Sequence, residues 1–391
     1  MSFLRIFGVL VVAVFLTGAA AASGGLARAA APAATPIDLG TLGGTFSDAT
    51  ALNTSGQVVG FSFTAGGEGH AFSWTEAGGM VDLGTFGGTF SAAGDVNNRG
   101  QVVGFSSSAS GSLRAFVWTQ AGGMVDVGTL GGTYSAAQAV NERGQVVGES
   151  STAAGEVHAF SWTASGGMVD LGTLGGTLSS ARAVSPSGQV VGESRTAGDL
   201  ESHAFSWTRS GGMVDLGTLG GTTSFAVDVS PSGQVVGDSS TSGSGSFPDR
   251  AFSWTRTGGL VDLGTLGGDF SRAEAVNARG QVVGTSATAA GAGHAFLWTE
   301  RGGMVDLGTL GGSVSGAVDV NAGGQVVGSS DISSGPVVTH AFSWTQAGGM
   351  VDLGGLGGTF TFATAVNARG DVIGDSNTVG DAELHATLWH T

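Results

Sequence analysis

Histidine and aspartate are the residues of this chain best suited to acid–base or metal chemistry, and both recur in fixed sequence words. His70 opens the segment HAFSWT, and Asp82 stands in MVDLG. The aspartate occurs eight times: Asp38, Asp82, Asp126, Asp170, Asp215, Asp262, Asp306 and Asp352. Because a catalytic site is normally built once per chain, eight copies indicate a structural role. We predict that this role is a hydrogen bond into the following glycine-rich turn.

The histidine position gives a second reason to favour a structural role. It reads His70, Arg114, His158, His203, Arg250, His294, His340 and His385. Arginine donates hydrogen bonds but neither binds a metal nor acts as a base at neutral pH. This position therefore requires a side chain that donates a hydrogen bond, and it does not require the metal binding or acid–base chemistry of imidazole. The GTLGG segments that follow the aspartates lack the lysine and the helix of a phosphate-binding loop, so we interpret them as turns.

The repeat that carries these residues has a nearly constant length. Each unit contains one tryptophan: Trp74, Trp118, Trp162, Trp207, Trp254, Trp298, Trp344 and Trp389. The distance from each aspartate to the glycine that ends GQVVG is 22 positions in all eight units. Only the segment from that glycine to the HAF phenylalanine varies, from 12 positions to 15 between Gly237 and Phe252. One loop therefore absorbs the length variation, as expected of a repeat-built fold.

Four strand signals recur in the units: AxAVN, GQVVG, HAFSWT and GGMVDLG. Each is rich in Val, Phe or Trp, and VNxxGQ and WTxxGGM supply the asparagine and glycine of tight hairpins. The chain has 74 glycines, 6 prolines and no helical periodicity, which indicates an all-β fold. Four antiparallel strands in about 44 residues are typical of a propeller blade. We predict a single eight-bladed β-propeller over residues 36–391, with a β-solenoid as the alternative.

The two ends of the repeat favour a closed ring over a solenoid. The last unit stops two residues beyond Trp389 and lacks MVDLG, whereas the first begins with an unaccompanied PIDLG. Ile37 to Leu39 would then be the outermost strand of the eighth blade and would remove an exposed edge. Within HAFSW, the two-residue period places Phe and Trp on one side of the strand. We expect these large residues of one blade to fill the shallow side of the next.

Candidate binding residues are the charged members of three variable columns. One column follows GQVVG, and the other two lie at the start of the first strand and two residues further on. If the first strand is innermost, these columns lie near the channel mouth, on the face that also carries the variable loop. The candidates are Asp48, Arg182, Arg272, Glu274, Glu149, Glu193, Asp238 and Asp375. They could bind a cation or a polar ligand, although drift at exposed positions is the simpler interpretation.

The first thirty residues predict export. Arg5 precedes an apolar run from Ile6 to Leu16, and small residues suited to cleavage follow, after Ala22 or nearer residue 30. This pattern is typical of a secretory signal peptide, and the run is too short to span a membrane. Residues 1–30 are thus predicted to be a cleaved leader and linker. The mature protein is expected to be secreted and extracellular, with no membrane span.

The amino-acid composition limits the kinds of molecule that this protein is expected to bind. All 14 basic residues are arginine, against 30 acidic residues, for a net charge of −16, and loss of Arg5 and Arg28 with the leader would give −18. Such a charge repels nucleic acid and anionic lipid surfaces. The chain has no cysteine, which excludes disulfides, thiolate catalysis and cysteine metal sites. We expect no cofactor. Ca²⁺ remains an open alternative, with simple solubility the plainer explanation of the charge.

The eight [HR]AFxW and GQVVG segments, with [MLI]VD[LV]G between them, resemble the bacterial extracellular repeats of the HAF family. The resemblance covers the chain from Pro36 to Trp389, and the eighth unit departs from it with HATLW and GDVIG. It implies a secreted protein and no particular activity.

Two classes of function therefore remain. The first is a binding or scaffold protein that recognises extracellular carbohydrate or cell-envelope material on the variable-loop face. The second is a propeller enzyme, a polysaccharide lyase or glycosidase, with a carboxylate pair at the channel mouth. The chain has no lysine, its one tyrosine is Tyr134, and His390 is its one histidine outside the repeat column. Because acid and base groups are scarce, the binding protein is favoured.

Overall fold

The computed structural model describes residues 34–241, 249–333 and 338–391, all within one compact unit spanning Pro32–Thr391. The expected leader lies outside these residues. The described residues contain 32 β-strands, which are joined by turns and loops, and one short 3-10 helix at Val379–Asp381. None of its elements is a helix long and apolar enough to cross a membrane.

The strands repeat in groups of four, which we call blades 1 to 8. The first strand of each blade is β2 (Gly43–Leu52), β6 (Gly87–Val96), β10 (Gly131–Val140), β14 (Gly175–Val184), β18 (Ser224–Val229), β22 (Gly267–Val276), β26 (Ser315–Val320) and β30 (Gly357–Val366). The second strand is β3 (Val58–Thr64), β7 (Val102–Ser108), β11 (Val146–Thr152), β15 (Val190–Thr196), β19 (Val235–Ser240), β23 (Val282–Thr288), β27 (Val326–Asp331) and β31 (Val372–Thr378).

The outer half of each blade comes from the remaining two strands. The third strand is β4 (Gly69–Thr75), β8 (Leu113–Thr119), β12 (Val157–Thr163), β16 (Ser202–Thr208), β20 (Asp249–Thr255), β24 (Gly293–Thr299), β28 (Thr339–Thr345) and β32 (Leu384–Trp389). The fourth strand is β5 (Gly79–Asp82), β9 (Gly123–Asp126), β13 (Gly167–Asp170), β17 (Gly212–Asp215), β21 (Gly259–Asp262), β25 (Gly303–Asp306), β29 (Gly349–Asp352) and, for blade 8, β1 (Ile37–Asp38).

Each blade is an antiparallel meander, and the blades form a closed ring. In blade 1, for example, β2 pairs with β3, β3 with β4 and β4 with β5. The first strands of neighbouring blades contact one another all the way round, including β30 of blade 8 with β2 of blade 1. First strands therefore form the inner ring, as predicted. This closure confirms the eight-bladed propeller of four-stranded blades and excludes the solenoid.

The N-terminal strand completes blade 8. Ile37 pairs with Leu388, and Asp38 pairs with Thr387. The Leu39 N–H then donates to the Ala386 carbonyl at 3.0 Å, and the Leu39 side chain is only 5% exposed. Since β1 pairs with β32 at the outer edge of blade 8, the predicted closing strand is confirmed.

Hydrophobic clusters lie between blades rather than within them. In one cluster, Phe116 of blade 2 packs with Val59 and Ala71 of blade 1. In the next, Phe160 of blade 3 packs with Ala115 of blade 2. The phenylalanine thus fills the shallow side of the preceding blade, opposite in direction to our expectation. Every blade therefore shares its core with a neighbour.

Asparagine side chains link neighbouring blades at the turn after the first strand. Asn97 Oδ1 accepts from the Gln101 N–H at 3.1 Å, and its Nδ2 donates to the Asn141 carbonyl of the next blade at 3.0 Å. Equivalent bonds to the next blade are made by Asn53, Asn97, Asn141, Asn277, Asn321 and Asn367. We call these bonds the asparagine latch. Serine replaces the asparagine in blades 4 and 5, at Ser185 and Ser230.

Candidate functional site

The repeated histidines and aspartates form structural pairs at the outer edge of the blades. His70 Nδ1 lies 2.8 Å from Asp82 Oδ2, and the Gly84 N–H donates to Asp82 Oδ1 at 2.7 Å. In blade 2 the donor is Arg114, whose Nη2 lies 3.2 Å from Asp126 Oδ2. The predicted bond into the turn and the need for a donor are both confirmed. The sequence reasoning missed that the two columns pair with each other.

The candidate columns of the first and second strands face each other in the sheet. Ser180 pairs with Glu193, Phe225 with Asp238, and Phe362 with Asp375. The column two residues further on lies at a register shift in the first strand, as at Glu274. Such bulges turn a side chain away from the regular alternation of the strand. The inner two strands therefore present all three columns together.

Five of the eight candidates come together on blades 4 to 6, joined by a residue that the sequence reasoning missed. Asp249 begins the third strand of blade 5, and its Oδ2 lies 2.9 Å from Arg272 Nη2. Asp249 was overlooked because it precedes the repeat word in a loop of variable length. We name this group the charged cluster: Arg182, Glu193, Asp238, Asp249, Arg272 and Glu274.

Two carboxylates of the charged cluster, Asp238 and Glu274, hold their protons unusually well. The pKa of Asp238 is raised to about 7, mainly by burial and also by the negative charges of Asp249, Glu274 and Glu193, while the positive charge of Arg272 opposes the rise. The Glu274 side chain reaches solvent, but the protein around it removes most of the bulk water that would stabilise its charge. This desolvation raises the pKa of Glu274 to about 6.

Glu149 and Arg182 extend the cluster towards blade 3. Tyr134 donates its hydroxyl hydrogen bond to Glu149 Oε1 at 2.6 Å. Burial and the Glu149 charge raise the pKa of Tyr134 well above its ordinary value, while the positive charge of Arg182 lowers it. Arg182 Nη2 lies 3.4 Å from Glu193 Oε1. The charge of Arg182 in blade 4 therefore acts on Tyr134 in blade 3, and this electrostatic interaction links the two polar pairs.

Asp48 and Asp375 lie apart from the charged cluster, at the junction of blades 1 and 8, and we call them the seam pair. Asp375 is buried, and its Oδ1 accepts from the Ala49 N–H of blade 1 at 2.9 Å. Burial and the Asp48 charge raise the pKa of Asp375 well above its ordinary value. Burial raises the pKa of Asp48 to about 6. Both members of the pair therefore hold their protons to a higher pH than ordinary aspartates do.

Three more carboxylates of the inner ring escaped the sequence reasoning. Asp95 Oδ1 accepts from the Val96 N–H at 2.7 Å, and its Oδ2 accepts from the Val140 N–H of the next blade at 2.8 Å. Asp228 and Asp319 bridge to their next blades in the same way. Burial raises the pKa of Asp95 to about 6. The other five blades have alanine at this position. The contrast between aspartate and alanine was the sequence signal by which these three carboxylates could have been found.

An aromatic group occupies the loop-bearing ends of blades 1 and 2, and we call it the aromatic arc: Phe46, Phe61, Phe63, Phe90 and Phe105. The Phe61 ring centroid lies 5.3 Å from that of Phe63 and 5.4 Å from that of Phe90. Phe63 is 38% exposed. Phe61 and Phe105 occupy the position directly after GQVVG, which is a carboxylate in blades 3 to 5. The change from charged to aromatic residues at this position was therefore visible in the sequence.

Metal ligation receives no support from these groupings. Across residues 34–241, 249–333 and 338–391, no group of three or more histidine, aspartate and glutamate side chains could hold a metal ion. The eight candidate residues therefore lie in two places. Five of them belong to the charged cluster, with Glu149 beside it, and Asp48 and Asp375 form the seam pair.

Comparisons with known proteins agree on the class of fold. The chain is similar to the β-propeller domain of the Trilobed protease from Pyrococcus furiosus, which has an open velcro topology, with 10% identity and a TM-score of 0.50 over 79% of this chain and 98% of that one. At this identity the likeness shows the fold alone. The class is therefore a β-propeller.

Two further solved structures are more distant in geometry. The Pyrococcus horikoshii acylaminoacyl peptidase gives 10% identity and a TM-score of 0.46 over 80% of this chain and 54% of that one. A puromycin hydrolase gives 15% identity and a TM-score of 0.45 over 92% of this chain and 61% of that one. No family model matches the chain, and no curated protein matches it.

Proposed function

We propose that this protein is a secreted carbohydrate-binding propeller that holds an uncharged glycan chain on its loop face, the face formed by the loops between second and third strands. The observation that carries the proposal is the aromatic arc on blades 1 and 2, followed round the same face by Glu149 and the charged cluster. Aromatic rings and hydrogen-bonding groups on one concave surface are the usual composition of a ligand site.

Each half of this surface suits one aspect of a sugar. The Phe63 ring is partly exposed at the end of the aromatic arc, where the apolar face of a pyranose ring can pack against it. The carboxylates of the charged cluster accept hydrogen bonds from hydroxyl groups, and Arg182 and Arg272 donate them. The net charge of −16 repels polyanions, which favours an uncharged chain.

Calorimetric titration with cellohexaose, laminarihexaose and chitohexaose tests this proposal. We expect weak binding of at least one of them, and a loss of about threefold to tenfold in affinity for Phe63→Ala, the usual range for an aromatic contact. Val81→Ala is the matched control, because Val81 is exposed on the outer strand of the same blade. Absence of binding to all three sugars, or an equal loss in both variants, would contradict the proposal.

We also propose that the chain is exported as a member of the HAF repeat family. The repeat words and the leader pattern of residues 1–30 support this. Expression of the full chain in a bacterium with a general secretion system tests it. We expect protein in the medium or periplasm whose mass corresponds to cleavage after Ala22 or nearer residue 30. Full-length protein confined to the cytoplasm would contradict it.

A second candidate function is glycan cleavage at the seam pair. Asp375 and Asp48 are neighbouring carboxyl groups whose pKa values are both raised, and general acid–base cleavage of a glycosidic bond uses two carboxyl groups in the roles of acid and base. The same three hexasaccharides, incubated with the protein at pH 5 to 7, should then release new reducing ends, and Asp375→Asn should abolish the release. If wild-type protein releases none, this candidate is discarded and the binding function stands.

A further inference from the structure

Two grooves lie on the turn face, the face opposite the loop face, where first strands turn into second strands and third strands into fourth. The blade-7 groove has a volume of about 380 Å³ and is lined by Arg279, Gln281, Gln325, Trp344, Gln346 and Arg369 among others. The blade-1 groove has a volume of about 420 Å³ and includes Trp74, Glu76, Arg369, Asp371 and His390. The blade-7 groove is lined by residues of blades 6, 7 and 8, and the blade-1 groove by residues of blades 8 and 1.

The blade-7 groove is flanked by two arginines on different blades. Arg279 of blade 6 donates from Nη1 to the Gly323 carbonyl at 2.9 Å, which directs its guanidinium across the turn of blade 7. Arg369 stands at the same repeat position in blade 8, and both side chains are exposed. Between them, blade 7 has Gly323 where the other blades have serine or arginine. No side chain at this position therefore fills the groove beside the Arg279 guanidinium, whereas the Arg369 guanidinium lies beside Gly56 of blade 1.

The two grooves differ in charge. The described residues that line the blade-7 groove include no carboxylate. In the blade-1 groove, Glu76 takes the repeat position of Gln346, and Asp371 takes that of Gln281. Asp371 also contacts the basic groups beside it, with its Oδ1 2.8 Å from His390 Nδ1 and its Oδ2 3.2 Å from Arg369 Nη2. Arg369 therefore has a carboxylate partner, whereas among the described residues the Arg279 guanidinium bonds only the Gly323 carbonyl.

We propose that the blade-7 groove binds a carboxylate-bearing sugar. A guanidinium group matches a carboxylate in shape and charge. The half-buried Trp344 indole supplies an apolar surface for the sugar ring, and the amides of Gln281 and Gln346 can exchange hydrogen bonds with its hydroxyls. In a protein with a net charge of −16, the exposed Arg279 in a groove whose described lining has no carboxylate is a local attraction for an anion. This site is separate from the loop face and does not depend on the function proposed there.

Titration with cellobiouronic acid and cellobiose tests the proposal, since these sugars differ only in the carboxylate. We expect cellobiouronic acid to bind at least tenfold more tightly than cellobiose to the chain without its leader, and more weakly as salt is added. Sodium acetate should not bind measurably, because it lacks the sugar ring. Equal binding of the two sugars, or acetate binding as tight as that of cellobiouronic acid, would overturn the proposal.

Variants locate the site. Gln346→Glu introduces the carboxylate of the blade-1 groove with little change of shape, and Arg279→Gln removes one cation. Each should weaken binding of cellobiouronic acid about tenfold without lowering the melting temperature. The matched control is Arg143→Gln, because Arg143 holds the same repeat position in blade 3 and contacts the Ser187 carbonyl at 3.4 Å. Unchanged binding in both groove variants, or an equal loss in the control, would overturn the assignment.

Discussion

Gly148 shows why the last position of GQVVG is occupied by glycine. A Cβ atom at Gly148 would overlap the Ala136 carbonyl oxygen of the neighbouring first strand. The same overlap occurs at the equivalent glycine of every blade, for example between Gly284 and the Arg272 carbonyl oxygen. The two inner strands can therefore approach this closely only because the glycine has no side chain, and any substitution must push the strands apart.

We expect Gly148→Ala to lower the free energy of unfolding by about 1–3 kcal/mol, the usual cost of an overpacked buried site. Chemical denaturation of the variant and the wild type measures the difference. Gly66→Ala is the control, since its nearest neighbour beyond the adjoining residues is Thr64 Oγ1 at 3.7 Å. A loss in Gly66→Ala as large as that in Gly148→Ala would count against the steric explanation.

Asp95 gives the inner ring a measurable pH dependence. Burial raises its pKa from 3.8 to about 6 in the folded protein. Between about pH 4 and pH 6, the folded state therefore keeps a proton that the unfolded state has released. The contribution of this group to stability is present at low pH and is lost as the pH rises through 6.

For Asp95→Asn, the fall in unfolding free energy from pH 5 to pH 8 should be about 1–3 kcal/mol smaller than in the wild type. Urea denaturation at the two pH values tests this. The exposed Asp269 provides the control variant Asp269→Asn, which should behave as the wild type. An unchanged pH dependence in Asp95→Asn would show that Asp95 does not titrate in this range.

At the scale of elements, the asparagine latch joins the first turn of one blade to the next. The Asn97 side chain is only 3% exposed, and it bonds both its own turn and the Asn141 carbonyl. Ser185 keeps the contact within the turn, because its Oγ accepts from the Gln189 N–H at 3.0 Å. A serine is too short to reach the next blade, so Asn97→Ser removes the bond between blades, together with the bond from Asn97 Nδ2 to Gln101 Oε1 within the turn.

We expect Asn97→Ser to lower the unfolding free energy by about 0.5–1.5 kcal/mol, the net value of a typical hydrogen bond. The reverse change, Ser185→Asn, supplies a latch where blade 4 lacks one and should raise stability by a similar amount. Thermal unfolding of both variants tests the pair. If both shift stability in the same direction, the latch is not the cause.

At the scale of the whole molecule, closure rests on packing as well as on strand pairing. Leu39 belongs to the hydrophobic cluster between blades 8 and 1, and Leu83 holds the equivalent place in the cluster between blades 1 and 2. Their N–H groups donate to equivalent carbonyls at 3.0 Å and 2.9 Å. The closing strand is therefore built like any other fourth strand.

Leu39→Ala and Leu83→Ala should each cost about 2–4 kcal/mol of unfolding free energy, and the two losses should agree to within about 1 kcal/mol. Denaturant titration of both variants makes the comparison directly. A much smaller loss for Leu39→Ala would mean that the ring is stable without its N-terminal strand.

The fold was predictable because the repeat states the strand order eight times and the two incomplete units fit each other. The site was less predictable. Sequence identified eight of the residues near the loop face individually, but the grouping of Asp238 with Asp249 and Arg272 depends on how neighbouring blades are staggered. The separation of Asp48 and Asp375 from that group follows from the closing of the ring. Those relations are set by packing between blades and have no counterpart in a single unit.

Completion of blade 8 by β1 also constrains the order of events during synthesis. Ile37 is synthesised 351 residues before its partner Leu388. The earliest strand must therefore wait unpaired while the other blades form, and the ring closes through a contact between distant parts of the chain. Such contacts are slow to form. A chain interrupted before Leu384 would lack the third strand of blade 8, so that β1 would stay unpaired and the incomplete blade 8 would keep an open sheet edge. Such a chain would be recognisable to proteases and prone to aggregate.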